Sequence, residues 1–268
     1  MTKYKQRKRN LYENNSDTYA ISRSKIDLFI NCPRCFYLDR KLGLAQPSMP
    51  GWPLNSAVDY LLKQEFDYYR KLRLPHPIMV QYGIDAVPFS HPDLPFWRDD
   101  VYHYVGASVV DEQTGFQVQG IIDDVWITPQ GELHIVDYKS TSTSSEISLE
   151  DEFKQPYKRQ MEVYQWLFRK NGFTVNDTAY FIYTNGISDA AGFFNKVEFK
   201  TKIIAYKGDD SWIEPTLVKI KKCLEGDIPR VGKAVMGGDC EYCMYAKART
   251  QLTDNYLSKI NQLKSNQV

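Results

Sequence analysis

The stretch from Gly120 to Ser140, GIIDDVWITPQGELHIVDYKS, constrains this chain more than any other. Ile121, Ile122, Val125 and Ile127 lead into Pro129-Gln130-Gly131, and Leu133, Ile135 and Val136 lead out, which predicts two strands of a β-hairpin. Each arm carries an acid where the apolar pattern expects a buried residue: Asp123 in the first and Asp137 in the second. Lys139 follows two residues later, on the same strand face as Asp137, because strand side chains alternate in direction. Two carboxylates and an ammonium therefore converge at one edge of a sheet.

Burying such acids is costly unless something neutralises them, and a hard divalent cation with oxygen ligands is the usual partner of a carboxylate pair. An ammonium beside that cation stabilises hydroxide or the extra charge of a phosphoryl transition state. The set suits phosphodiester hydrolysis. The plainer reading is a solvated cross-strand ion pair, which three such residues on their own would favour.

The 268 residues are enough to bury a substantial core. Lys plus Arg (34) against Asp plus Glu (33) leaves +1, so any basic surface for a nucleic acid must be local. No apolar run approaches the roughly 18 residues of a membrane span, and no hydrophobic segment follows the basic N-terminus. A cytoplasmic location without membrane partners is expected. In that setting the five cysteines are not read as a disulfide framework, and four form two Cys-x-x-Cys pairs, Cys32/Cys35 and Cys240/Cys243, which points to metal ligation. Cys223 reads as a core thiol.

Along the chain, residues 1–18 are polar and begin with Lys3, Lys5, Arg7, Lys8 and Arg9, a solvated terminal tail. Short helices are expected around Ile26–Ile30 and Phe36–Leu42, and a longer one over Leu54–Lys71, with Asp59 beside its apolar stripe. Pro75–Asp99 lacks periodicity and reads as an ordered excursion, a flap or a substrate-contacting insertion. Val101–Val110 reads as a strand. A helix over Glu150–Asn171 puts Gln160 and Tyr164 one turn apart on one face. Strands at Thr178–Thr184 and Phe193–Tyr206 follow, then a helix over Trp212–Leu224 and a final polar helix to Lys264.

GIIDDVW, then VDYK, then QMEVY on a helix resembles the PD-(D/E)XK nuclease superfamily, specifically the RecB-like branch that includes CRISPR-associated and helicase-fused iron–sulphur nucleases. SRSKIDLFINCPRCFYLDRKLG resembles that branch's N-terminal segment, so the likeness spans about Ile21 to Tyr245. It implies an α/β restriction-endonuclease-like core, a central mixed sheet flanked by helices. The N- and C-terminal segments would be joined by a four-cysteine metal or cluster site. One nuclease domain over residues 19–250 is expected, with a C-terminal helix or tail over 251–268.

The family's active site maps onto Asp123, Asp137, Lys139, Gln160 and Tyr164. Metal ligands would be Asp123, Asp137, the Tyr138 carbonyl and Asp59, which stands where relatives often carry histidine. Mg²⁺ or Mn²⁺ is the implied ion. The resemblance favours a [4Fe–4S] cluster on Cys32, Cys35, Cys240 and Cys243, although Arg249 stands where a last cysteine is expected; the Cys-x-x-Cys spacing taken alone equally fits a Cys₄ zinc site.

The function implied is a Mg/Mn-dependent deoxyribonuclease, an exonuclease on single strands or DNA ends in repair, recombination or defence, with a helicase or defence component as possible partner. The alternative is a catalytically silent nucleic-acid-binding or assembly module on the same fold.

Overall fold

The computed structural model describes residues 6–13, 18–47, 51–99, 106–234 and 237–265. Lys3 and Lys5 of the basic N-terminal segment, and residues 101–105 of the strand expected there, lie outside them. In order the elements are β1 (Tyr19–Ser22), α1 (Arg23–Asn31), α2 (Pro33–Arg40), α3 (Pro53–Leu72), α4 (Pro77–Gln81), β2 (Val87–Pro88), α5 (Leu94–Asp99), β3 (Ala107–Asp111), β4 (Phe116–Gly120), β5 (Asp124–Ile127) and β6 (Leu133–Thr141). A 3₁₀ turn (Glu152–Lys154) leads into α6 (Gln155–Lys170), followed by β7 (Thr178–Gly186), β8 (Phe199–Lys207), α7 (Ile213–Glu225) and α8 (Glu241–Ser265). No helix among the described residues is long and apolar enough to cross a membrane.

The chain divides into two compact units. One comprises residues 17–24 and 49–218 and holds both sheets. Its five-stranded sheet has the order β2-β5-β6-β7-β8, with β6 and β7 parallel and the other pairs antiparallel. Parallel neighbours need a long crossover, and α6 supplies it. The smaller sheet has the order β1-β4-β3.

Strand β6 is buried from Leu133 to Tyr138, and both of its faces are covered. On one side Val136, Tyr138 and Trp126 pack with Phe66 of α3 and with Met79 and Ala86. On the other lies α6, whose residues from Gln160 to Phe168 are all buried. A strand enclosed on both faces reads as a nearly continuous apolar run, so a charge within it marks a special position. Asp137 is that charge.

The hairpin forms with Asp124 opposite Val136 and Trp126 opposite His134. Its first arm is shorter than the apolar run suggests. Phe116–Gly120 is a strand of the other sheet, Ile121 and Ile122 carry the chain across, and the Ile122 N–H bonds the Trp97 carbonyl at 3.1 Å. Asp123 thus sits just ahead of β5 instead of inside it.

The 75–99 excursion is built into this unit. Strand β2 extends the sheet beside β5, His76 stacks on Phe66 with centroids 4.4 Å apart, and Arg98 pairs with Asp67 at 2.8 Å.

The second unit comprises residues 1–16, 25–48 and 219–268. Within it Arg7 pairs with the fully buried Asp39 at 2.7 Å, and Tyr12 is buried. Ile26, Phe36, Ile220 and Leu224 are buried in it, and one small cluster is made of Cys32, Cys35 and Cys240, flanked by Leu28, Val231 and Cys243.

Candidate active site

Asp137 and Lys139 reach the same face of β6 because they are two residues apart, and α6 crosses over that face. The Asp137 carboxylate is wholly buried, the Lys139 ammonium lies against Oδ2, and among the described residues no other donor reaches either oxygen. Lys139 also donates to Gln160 Oε1 at 3.4 Å and sits 4.8 Å from the centre of the Tyr157 ring. Gln160 in turn donates to the Tyr164 hydroxyl at 3.1 Å. One turn of α6 thereby holds the pair that steadies the lysine.

Asp123 comes from the segment ahead of β5. Its Oδ2 accepts the Tyr138 N–H at 2.8 Å, which ties it to the β6 backbone between Asp137 and Lys139. Asp59 comes from α3. Lys63, one turn further on, donates to Asp59 at 2.9 Å and lies 3.7 Å from Asp123 Oδ1. Together Asp59, Asp123, Lys139 and Gln160 line a cleft of about 410 Å³ that also carries Trp52 and Tyr157.

The structure therefore places Asp59, Asp123, Lys139 and Gln160 around one cleft, with Asp137 buried behind Lys139, Tyr164 behind Gln160 and the Tyr138 main chain between the two β6 side chains. Lys63 is the residue that sequence reasoning missed. Its spacing of four from Asp59 was visible, but its nearness to Asp123 depends on α3 packing against β6.

The electrostatics lack positive charge. Burial pushes the Asp137 carboxyl up to about 7, with Lys139 drawing it down and Asp123 pushing it further up. Burial and Asp123 also raise Asp59, against the pull of Lys63. Burial opposes the charge on Lys139, but the Asp137 and Asp123 carboxylates outweigh it and hold the ammonium above the ordinary lysine range. Three acids thus face two ammoniums, and Oδ1 of the buried Asp137 has no donor among the described residues. A hard cation with oxygen ligands fits this donor set, and it would relieve both deficits.

Asp124, adjacent to the first acid, has a different role. It faces the opposite side of its strand, where Arg70 pairs with it and the Tyr138 hydroxyl donates to it at 2.8 Å. This buried pair fastens α3 to the hairpin.

Gly120 has a specific steric task. A Cβ built there would lie 2.6 Å from Tyr164 Cε1, so only glycine lets the tyrosine ring lie against the end of β4. Gly120→Ala is expected to displace Tyr164, and Gln160 with it. Because misplacement of about an ångström can cost up to about 10²-fold in rate, catalysis should fall far more than melting temperature. Unchanged turnover in Gly120→Ala would remove Tyr164 and Gln160 from the positioning chain.

The four cysteines of the Cys-x-x-Cys pairs also come together. Their sulphurs all lie within 4.8 Å of one another, an arrangement that could hold a metal.

A family model of the PD-(D/E)XK nuclease superfamily matches residues 53–248. No curated protein matches the chain. A solved structure described as the crystal structure of SSO0001 aligns over 81% of this chain and 80% of its own, at 14% identity and a TM-score of 0.34.

Proposed function

Because the chain belongs to the PD-(D/E)XK nuclease superfamily, we propose that it is a Mg²⁺- or Mn²⁺-dependent deoxyribonuclease whose active site is the Asp123–Asp137–Lys139 cleft. The observation that carries this reading is the convergence of Asp137 and Asp123: Asp137 is a wholly buried carboxylate whose one charged neighbour is Lys139, and the main chain one residue on binds Asp123. Asp124, by contrast, is held by Arg70, the Tyr138 hydroxyl and the Val125 N–H, as a structural acid is.

Asp123, Asp137, Asp59 and the Tyr138 carbonyl would hold the cation. When bound, such an ion polarises a phosphate oxygen and makes a water molecule a better nucleophile. The chain's own groups do the rest. Lys139 stays an ammonium at neutral pH, so it acts as a fixed positive donor toward the attacking water and the phosphoryl oxygens and not as a base. Gln160 aims that ammonium, and Tyr164 aims Gln160. Lys63 tempers the repulsion between Asp59 and Asp123.

Trp52, with 65% of its surface exposed, shares the cleft with Tyr157. An exposed tryptophan beside phosphodiester-cleaving groups suits the stacking of an unpaired base, which supports action on single strands or frayed ends. The order of motifs, with Gln160 and Tyr164 four apart on α6, supports the RecB-like, exonucleolytic branch and a place in DNA repair, recombination or defence. Five free thiols fit a reducing, cytoplasmic setting.

The test is cleavage of end-labelled single-stranded and duplex DNA with Mg²⁺, Mn²⁺ or chelator. Metal-dependent cleavage, faster on single strands, is expected. Folded, Mn²⁺-loaded protein that binds DNA and cuts neither substrate would favour the silent binding module instead.

A further inference from the structure

The geometry assigns the four-cysteine site to a single tetrahedral zinc ion, and not to the [4Fe–4S] cluster that the resemblance favours. This inference concerns the unit of residues 1–16, 25–48 and 219–268 and does not rest on the nuclease reading.

The first observation is the spacing of the sulphurs. Cys32 Sγ lies 3.8 Å from Cys243 Sγ, and Cys35 Sγ lies 3.7 Å from Cys240 Sγ and 3.4 Å from Cys243 Sγ. Four thiolates at about 2.3 Å from one central zinc stand about 3.8 Å apart at the corners of a tetrahedron. A cubane interposes four irons, each carrying its thiolate outward, and so needs the sulphurs well beyond the 4.8 Å within which all four lie here. These distances are also far too long for a disulfide, whose sulphurs are about 2.05 Å apart. The site fits one ion and fits neither the cluster nor a covalent bridge.

The second observation is how the two pairs are presented. Cys32 is the N-cap of α2 and Cys35 lies in its first turn; Cys240 immediately precedes α8 and Cys243 lies in its first turn. Both Cys-x-x-Cys pairs thus wrap a helix N-terminus. Cys32 Sγ accepts the N–H of Cys35 at 3.4 Å and that of Gly232 at 3.2 Å. Gly232 also accepts the Cys240 N–H at 2.8 Å, and a Cβ on it would lie 2.4 Å from Cys32 Cα, so a glycine is required to bring the two knuckles together.

The third is what else holds this unit. Cys32, Cys35 and Cys240 form one buried cluster with Leu28 and Val231 against it, apart from the unit's other buried side chains such as Ile26, Phe36, Ile220 and Leu224, while Leu252, Tyr256 and Leu263 of α8 are more than half exposed. Four sulphurs gathered in an apolar surround are the ligand set of a structural zinc site. Zinc has no redox chemistry and would serve as a permanent clamp.

The experiment is metal and acid-labile sulphide analysis of the full chain, produced with iron and zinc both available and purified without oxygen. One zinc per chain, no labile sulphide and no visible absorption are expected. Asp137→Asn should keep that zinc, Cys240→Ser should lose it, and Co²⁺ exchanged into the native chain should give the absorption of tetrahedral cobalt thiolate. Stoichiometric iron, whether one atom or four with sulphide, would overturn the assignment. So would a folded native chain devoid of metal, or zinc that Cys240→Ser retains.

Discussion

Replacing Lys139 by Met is expected to lower cleavage by about 10²–10³-fold, the usual cost of deleting one preorganised electrostatic donor, while Mn²⁺ still binds. Methionine preserves the length and apolar stem of the side chain, so β6 and its packing against α6 should survive. What disappears is the one ammonium set against Asp137 and held by Gln160. Lys139→Arg keeps the charge but replaces a compact point donor with a planar fork, and should recover only part of the rate. Single-turnover kinetics at saturating Mn²⁺ separates the chemical step from metal affinity. A Met variant within a few-fold of native would mean that Lys139 supports the fold and not the reaction.

The second large effect concerns stability. Arg70 is buried between the carboxylates of Asp124 and Asp67 and donates through Nε to the Phe89 carbonyl at 2.7 Å. An exposed pair such as Lys196–Glu198 is screened by solvent and contributes little. Removing one member of a buried pair leaves an uncompensated charge, costing about 3–5 kcal/mol. Arg70→Ala should therefore lower the melting temperature by roughly 6–20 °C for a unit of this size. Adding Asp124→Asn should restore part of the loss, because the stranded charge is then gone. A drop of only a degree or two for Arg70→Ala would show that α3 is held on the hairpin by its apolar contacts alone.

The candidate site was legible wherever its logic is local. Asp137 and Lys139 share a strand face by the two-residue period, and Gln160 and Tyr164 share a helix face by the four-residue spacing; neither inference needs tertiary structure. Asp124 was separable from Asp123 by the same alternation. What escaped was long-range. The continuous apolar run through Ile121 and Ile122 hid a crossing between two sheets, because the Trp97 carbonyl that receives the Ile122 N–H lies on α5. Nothing local marks Lys63, which reaches Asp123 only because α3 docks on β6. The cysteines announced a metal by spacing, but the distances that choose between one ion and a cluster exist only once both helix N-termini meet.

The central claim is that Asp123 and Asp137 form a cation site on which cleavage depends. Its most direct measurement is Mn²⁺ uptake by the folded full chain, followed as loss of the free Mn²⁺ resonance, for the native chain and Asp137→Asn side by side. The native chain should take up Mn²⁺, and the variant should take up little or none while remaining folded. Equal uptake by both proteins would contradict the account.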